Sequence, residues 1–175
     1  MAESQTYTTG AKAAHWSIFV LVVAQFIAAW TMGPHDEGQK VDATSNVHAT
    51  IGVLIIILAT WRLFTRLSNP VAPSTHIPRW QQIVGWATHR LLYVLLIVMP
   101  ASGLLAASNE GAMFQLFGII PLPSLAAPDS ALGEFGEETH EILANVLMGV
   151  IALHVAAALY HGIFRGDDVL ERMLP

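Results

Sequence analysis

Histidines recur in the apolar segments of this chain at spacings that place them on one face of a helix. Residues 138–161, ETHEILANVLMGVIALHVAAALYH, contain His140, His154 and His161. In an α-helix, fourteen residues rise about 21 Å and return to within about 40° of the starting direction, and seven more return to the same face. Ionisable residues inside a membrane usually face the interior of the helix bundle. The spacing therefore predicts an interior stripe of imidazoles.

Two other histidines match this stripe in depth. His15 and His48 lie near the starts of the first and second apolar segments. If the segments are antiparallel membrane helices, His48 and His140 lie near one surface, and His15 and His154 lie toward the other. Each pair comes from two helices, so each could hold a flat cofactor between them. Bis-histidine haem b fits, because haem needs one or two axial ligands and an apolar slot, which a four-helix bundle provides.

At the depth of His15 and His154, spacing alone does not decide which histidines are the ligands. His89 and His161 compete there with His15 and His154 as ligands. A single histidine in a membrane helix can also serve only to hydrogen-bond a neighbouring helix. Two histidines are instead expected in loops, in contact with water: His35 and His76.

The helices that must position these side chains follow from composition. The chain has 175 residues, of which 54% are hydrophobic and only 12% charged, whereas soluble domains have about 25% charged residues. A membrane-spanning helix needs about 20 apolar residues, and four such stretches occur. We therefore predict an all-α, membrane-spanning four-helix bundle that forms a single domain over residues 1–175. The predicted helices are 13–32, 47–64, 91–108 and 142–164.

Lysine and arginine predict the orientation of the bundle, because they are enriched on the cytoplasmic side. Lys40 alone falls on the opposite side from the other basic residues, so both termini and the second loop are predicted to be cytoplasmic. The third loop, residues 109–139, is predicted to face outward and contains five acidic residues without a lysine or arginine. The seven basic residues on the cytoplasmic side are Lys12, Arg62, Arg66, Arg79, Arg90, Arg165 and Arg172.

Two arginines return to the face of His48. Arg62 and Arg66 follow it by fourteen and eighteen residues, within about 40° of its direction. At the depth of an inner haem they could pair with its propionates. The alternative is that they only follow the positive-inside rule.

Electrons are expected to pass from an outer donor, through an outer and then an inner haem about 20 Å away, to quinone. With both axial positions filled, this transfer is expected to be outer-sphere. A quinone site needs a cleft open to lipid and polar groups that deliver protons. The candidates are His89 and His161, with Trp16 as an apolar wall; each could also be an ordinary interfacial residue.

Composition also excludes several classes of site. The chain has no cysteine, which excludes disulfides, thiolate zinc sites, iron–sulfur clusters and haem attached through C-x-x-C-H. No basic patch indicates binding to nucleic acid. The net charge of −5 is instead concentrated in the outer loops.

Four segments resemble the bacterial cytochrome b561 family. They are AAHWSIFVLV, NVHATIGVLIIILATWRLFTRL, HRLLYVLLIVMPASGLL and HEILANVLMGVIALHVAAALYHGIFRGDDVLERMLP. The resemblance runs from about residue 7 to 175 and is most specific in H-E-x-x-A-N…L-H-x-A-A-A-L-x-H. It implies a di-haem b protein of the bacterial inner membrane, related to the cytochrome b subunits of nickel–iron hydrogenases. The haem ligands that it implies are His15, His48, His140 and His154.

The resemblance also implies partners. Family members move electrons between the quinone pool and a partner at the membrane surface, and some resemble superoxide oxidases that reduce ubiquinone. A surface that captures the superoxide anion should be locally positive, but the outer loops are acidic, with Lys40 and His35 as the only residues around which a positive surface could form. The expected partners are therefore membrane lipid, quinone, and either superoxide or a small basic periplasmic redox protein.

Two alternatives remain open at this point. The chain could be a cytochrome b anchor that passes electrons between quinone and a larger dehydrogenase or hydrogenase. It could also be a histidine-based metal-binding or transport protein. Almost no carboxylate lies within the predicted helices, and the six methionines are scattered, which disfavours the second alternative.

Overall fold

The chain forms four long helices, a short hairpin and a C-terminal helical turn. The computed structural model describes residues 6–33, 41–109, 111 and 113–174. Predictions about His35, Lys40 and the acidic residues 36, 37 and 110 lie outside this range. In chain order the elements are α1 (Thr9–Thr31), α2 (Ala43–Ser68), α3 (Arg79–Asn109), β1 (Gln115–Leu116), β2 (Ile120–Pro121), α4 (Ala131–Leu159), a π-helix (Tyr160–Arg165) and α5 (Asp168–Glu171).

Side-chain caps begin three of the long helices. The Thr8 hydroxyl accepts a hydrogen bond from the backbone N–H of Ala11 in α1. The Asp42 carboxylate accepts one from Ser45 at 2.8 Å in α2, and Ser130 does the same in α4. Such caps satisfy N–H groups that have no partner within the helix. The bond from Ser45 is also the main reason that the pKa of Asp42 is below its usual value.

The predicted membrane-spanning four-helix architecture is confirmed. All four long helices have the length and hydropathy needed to cross a bilayer. The only strands in the described residues are the antiparallel pair β1 and β2, in which Leu116 pairs with Ile120. The orientation of the bundle and its treatment as one domain stay predictions.

Two predicted helix starts were wrong. α3 begins at Arg79 rather than residue 91, and α4 begins at Ala131 rather than residue 142. Hydropathy misses these first turns because they contain arginine, glutamine and glutamate, although nothing in them prevents a helix. Backbone bonding of α3 starts beside Pro78, whose carbonyl accepts from the N–H of Gln81. Residues 131–139 are therefore helical and His89 lies well inside α3.

The helices pack in pairs. Ile18 and Val22 of α1 are buried against Ile55 and Ala59 of α2, while a second core joins α3 to α4. The backbones of α2 and α3 connect the two pairs. Among the described residues, no backbone approach joins α1 to α4. The second core contains Leu95, Met99 and Leu147.

The α3–α4 crossing is close. A Cβ atom added at Gly136 of α4 would lie only 2.3 Å from the Cβ of Leu105 in α3. Glycine is needed at this point because any side chain would push the two backbones apart. This contact fixes the N-terminal part of α4, from which His140 projects.

Candidate functional site

One pair of imidazoles crosses from α2 to α4. The ring centres of His48 and His140 are 6.2 Å apart, with 73° between the ring planes. We call these residues the outer pair, after the predicted orientation. Two imidazoles bound to one metal from opposite sides have ring centres about 6 Å apart, because each metal–nitrogen bond is about 2 Å and the nitrogen lies about 1 Å from the ring centre. The outer pair has this spacing.

His140 is held in one orientation by α3. Its Nδ1 lies 2.9 Å from the carbonyl oxygen of Met99. Since a carbonyl only accepts, Nδ1 carries the proton and Nε2 keeps its lone pair, which is the state of a metal-binding imidazole. Gly103 leaves room for the ring: a Cβ atom there would lie 2.9 Å from Cε1 of His140.

His48 retains an unsatisfied nitrogen. Its Nε2 is 3.0 Å from the side-chain nitrogen of Gln25. Its Nδ1 is buried without a hydrogen-bond partner, as is the side-chain oxygen of Gln25. Because an amide nitrogen only donates, Nε2 of His48 accepts from Gln25 and Nδ1 carries the proton. Nε2 therefore holds the lone pair that a metal ion would take, and Nδ1 is a buried N–H without a partner.

Three imidazoles meet at the opposite end of the bundle. The ring centres of His15 in α1 and His154 in α4 are 6.2 Å apart, with 76° between planes. His89 of α3 approaches His154 at 5.3 Å. We call His15, His89 and His154 the inner cluster. The His15–His154 pair has the same spacing as the outer pair, whereas the His89–His154 spacing is shorter than two metal–imidazole bonds require.

Arg62 lies beside the inner cluster. Its Nη1 donates to the hydroxyl of Tyr93, and the guanidinium is 5.4 Å from the Tyr93 ring centre. Its Nε is buried without a partner, and in the described part of the chain no carboxylate pairs with it. Arg66 donates from Nη2 to the carbonyl of Val71 at 3.1 Å. Arg62 therefore has a buried donor that is free for an anionic group.

The three candidate quinone residues do not all come together. Trp16 contacts His15, with 5.4 Å between ring centres, and its Nε1 donates to the carbonyl of Met173. His89 lies in the inner cluster. His161 is only 9% exposed and faces the C-terminal segment, with Nδ1 at 2.6 Å from Asp167 Oδ2. Within the described residues, no ring contact joins His161 to the inner cluster.

Asp167 ties the π-helix to the chain that follows. Burial by itself would raise the pKa of Asp167, but hydrogen bonds from His161, the Val169 N–H and Arg165 outweigh this effect and lower it. Asp168 accepts hydrogen bonds from the Ser74 hydroxyl and Arg172. The bond from Ser74 is the largest cause of the lowered pKa of Asp168. The C-terminal segment is thus fastened to the loop between α2 and α3.

Three residues near these sites were not identified from the sequence: Gln25, Tyr93 and Asp167. Gln25 lies ten residues after His15 in an antiparallel helix, so depth matching could have placed it beside His48. Asp167 follows Gly166, whose left-handed φ of 59° ends the π-helix. A glycine followed by an aspartate indicates a helix end and the cap of a new helix. Nothing local indicated that Tyr93 would contact Arg62.

The donor set and its surroundings fit haem b. Both matching pairs are imidazoles, the four rings are only partly buried, and each pair bridges α4 and one helix of the α1–α2 pair. The Arg62 guanidinium, whose buried Nε has no partner, lies beside the inner cluster. In the described residues, no group of three or more histidine and acidic side chains forms a site for a free metal ion.

Known proteins are similar over almost the full length. The family model of the prokaryotic cytochrome b561 matches residues 6–175. The "Probable superoxide oxidase CybB" of Yersinia pestis is 29% identical over 163 residues, which is 92% of this chain and 91% of the relative. "Cytochrome b561 homolog 1" of Escherichia coli (strain K12) is 27% identical over 92% of each chain. "Cytochrome b561 homolog 2" of the same strain is 27% identical over 97% of this chain and 92% of the relative.

Proposed function

Because the chain belongs to the prokaryotic cytochrome b561 family, we propose that it carries electrons across a bacterial membrane between a donor at the outer face and quinone in the bilayer. The observation that carries this proposal is the repetition of one ring spacing, 6.2 Å, in two cross-helix histidine pairs. Family membership favours this function over the metal-transport alternative. We assign the protein to the inner membrane, whose proteins span the bilayer as helical bundles.

We assign one haem b to each pair. His48 and His140 would hold the haem at the outer site, and His15 and His154 would hold the haem at the inner site. Haem supplies reversible one-electron exchange at iron when it is bound. The chain holds each imidazole in place: the Met99 carbonyl orients His140, and the α1–α2 core fixes His15 relative to His48. Arg62 is assigned to a propionate, because its Nε is unpaired and buried.

Quinone is assigned to the lipid side of the inner cluster. Trp16 supplies an apolar wall, and its ring stays in place because Nε1 is bonded to Met173. His89 stands beside His154 and can hold a proton for the quinone oxygen. His161 and Asp167 form a buried pair just after α4. They can pass a proton from the predicted cytoplasmic side toward the quinone. Quinone reduction consumes protons, so a titratable pair at this end suits the reaction.

Superoxide is the first donor to test. One relative is named a probable superoxide oxidase, and superoxide is a one-electron donor that needs no open coordination position. The described outer surface is nevertheless acidic, with Glu134, Glu137 and Glu138 exposed in the first turns of α4. A small basic redox protein would be attracted to this surface, whereas an anion would be repelled.

A spectrum and a haem count test the central proposal. Detergent-purified protein should show the visible bands of six-coordinate haem b, sharpened by dithionite, with two haems per chain. A colourless protein, or one haem per chain, would overturn the two-site assignment. When the same sample is reconstituted with ubiquinone and its haem is reduced, the quinone should reoxidise the haem.

The dependence of the reduction rate on ionic strength distinguishes superoxide from a basic protein as the donor. Salt screens long-range charge interactions over about 10 Å at 0.1 M. If superoxide donates against a repelling surface, its rate of haem reduction should rise with salt. If a basic protein is the donor, the rate should fall with salt. Neutralising Glu137 and Glu138 to glutamine should flatten whichever dependence is found.

A further inference from the structure

The connection between α3 and α4 contains a long uncharged stretch. Residues 113–128, MFQLFGIIPLPSLAAP, contain no lysine, arginine, aspartate or glutamate. Apolar side chains in it are strongly exposed, with Phe117 at 62% and Ile119 at 75%. A run of exposed apolar side chains that forms a patch marks a surface that contacts a membrane or another protein. The stretch therefore has the surface of a membrane-facing element and not that of a water-exposed loop.

The hairpin lies along α2. The backbone N–H of Gln115 donates to Asn46 Oδ1 at 2.6 Å, and that of Phe117 donates to Thr50 Oγ1 at 2.9 Å. Asn46 and Thr50 are one helical turn apart. The chain from Gln115 to Phe117 thus runs from the start of α2 toward the middle of the helix. The tip of the hairpin points toward the bilayer centre.

Helix length gives the depth of that tip. α2 has 26 residues and is about 39 Å long, so a hydrocarbon layer of about 30 Å leaves about 4–5 Å of helix outside at each end. Thr50 follows the first residue of α2 by seven positions, or about 10 Å of rise. Thr50 Oγ1, which accepts the hydrogen bond from the Phe117 N–H, therefore lies about 5–6 Å inside the hydrocarbon layer.

The N–H groups of the tip already have partners within the protein. Besides the bond from Phe117 to Thr50, the N–H groups of Gly118 and Ile119 donate to the carbonyls of Gln115 and Leu116. Phe117 and Gly118 both have left-handed φ angles, 52° and 71°, which make the turn tight. Non-helical backbone is tolerated at membrane depth only when its polar groups find partners in the protein. The N–H groups of the tip meet this condition.

From these observations we propose that the hairpin at residues 113–121 inserts its tip into the leaflet in which α2 begins, with phospholipid acyl chains as its partner. A groove of ≈ 480 Å³ lies between the tip and α2, and Val47, Ile51 and Phe117 are among its lining residues. It opens on the α2 face that carries Ile57 and Phe64, 57% and 67% exposed, so the bilayer that covers those residues continues over the groove.

The cysteine-free sequence allows a direct test. A nitroxide label is placed on Phe117→Cys in vesicles of phosphatidylethanolamine and phosphatidylglycerol, and its collision rates with oxygen and with a water-soluble nickel chelate are measured. Ile57→Cys in mid-span α2 is the lipid standard, and the exposed Glu134→Cys is the water standard. Oxygen concentrates in hydrocarbon and the chelate in water. The nickel accessibility of the Phe117 label should be several-fold below that at Glu134. It should fall between the two standards, because the tip lies less deep than Ile57.

A chelate accessibility at residue 117 equal to that at residue 134 would overturn the proposal. Ile119→Cys repeats the measurement at the other side of the turn, and it replaces Phe117→Cys if that variant does not fold. Folding is checked by the helical circular dichroism of each variant. Because the readout uses neither haem nor electron transfer, its outcome is independent of the function proposed above.

Discussion

The outer pair and the inner cluster share one ring spacing but differ in what surrounds them. At the outer pair the neighbours are neutral: the Gln25 amide, the Met99 carbonyl, and Gly103, which has no side chain. At the inner cluster the neighbours include the cationic Arg62 and a third imidazole, His89. The same ligand geometry thus occurs in two electrostatic environments. Because a nearby cation favours the reduced, less positive form of an iron centre, we expect the inner site to have the higher potential.

Removing a ligand is the strongest way to test that the two sites are separate. His140→Ala should remove the outer haem and keep the inner one, and His154→Ala should do the reverse, so that each variant retains half of the haem. The pyridine haemochromogen assay measures the haem per chain. Full haem in both variants would exclude the proposed pairing. Loss of all haem in either one would mean that the two sites form together.

A methyl group at Gly103 should affect the outer pair alone. The added Cβ of Gly103→Ala would lie 2.9 Å from the His140 ring, and such overpacking typically costs about 1–3 kcal/mol. We expect weakened outer haem binding and a changed low-spin electron paramagnetic resonance signal. Gly149→Ala is the matched control on α4, since nothing lies within 4 Å of its Cβ position. An unchanged outer signal in Gly103→Ala would mean that His140 does not depend on this space.

Charge removal should affect only the inner site. Arg62→Gln deletes the cation beside the inner cluster, so the inner haem should become harder to reduce. Its midpoint potential should fall by tens of millivolts, with about 60 mV for each 1.4 kcal/mol of lost interaction. Arg66→Gln should produce a smaller shift, because Arg66 lies one helical turn farther along α2 from the inner cluster. Spectroelectrochemical titration measures both potentials, and an equal shift of the outer haem would contradict this comparison.

The C-terminal attachment distinguishes the inner end with a smaller, pH-dependent effect. Hydrogen bonds lower the pKa of Asp167 below its ordinary 3.8. Its contribution to stability is therefore present above that value and is lost as the pH falls through the folded-state pKa. Asp167→Asn should lower the thermal midpoint at pH 7 by about 2–4 °C, for a loss of about 1 kcal/mol. The difference from wild type should shrink below about pH 4.

Glu171→Gln is the control for this measurement, since Glu171 is exposed and its carboxylate makes no ion pair in the described residues. A difference between Asp167→Asn and wild type that stayed constant down to about pH 2 would show that the carboxylate charge is not the stabilising feature. The midpoint is followed by the loss of helical circular dichroism.

Periodicity and hydropathy predicted the bundle and paired histidines at matching depths. They could do so because a helix has a fixed rise and turn, and because the bilayer has a fixed thickness. The starts of α3 and α4 were missed because hydropathy detects only the apolar part of a helix. Both helices begin in turns that contain polar residues. The ambiguity among His15, His89, His154 and His161 also could not be resolved from spacing.

The tertiary structure shows where these four rings lie relative to one another. Side-chain directions and the packing of four helices turn His161 toward Asp167 and bring His89 against His154, and no spacing along one helix contains this information. The sequence by itself determined a membrane bundle with imidazoles at two depths, because both follow from local geometry and burial. Only the tertiary structure decided which rings face each other, that Gly103 makes room for His140, and that the hairpin lies along α2. These features depend on contacts between residues far apart in the chain.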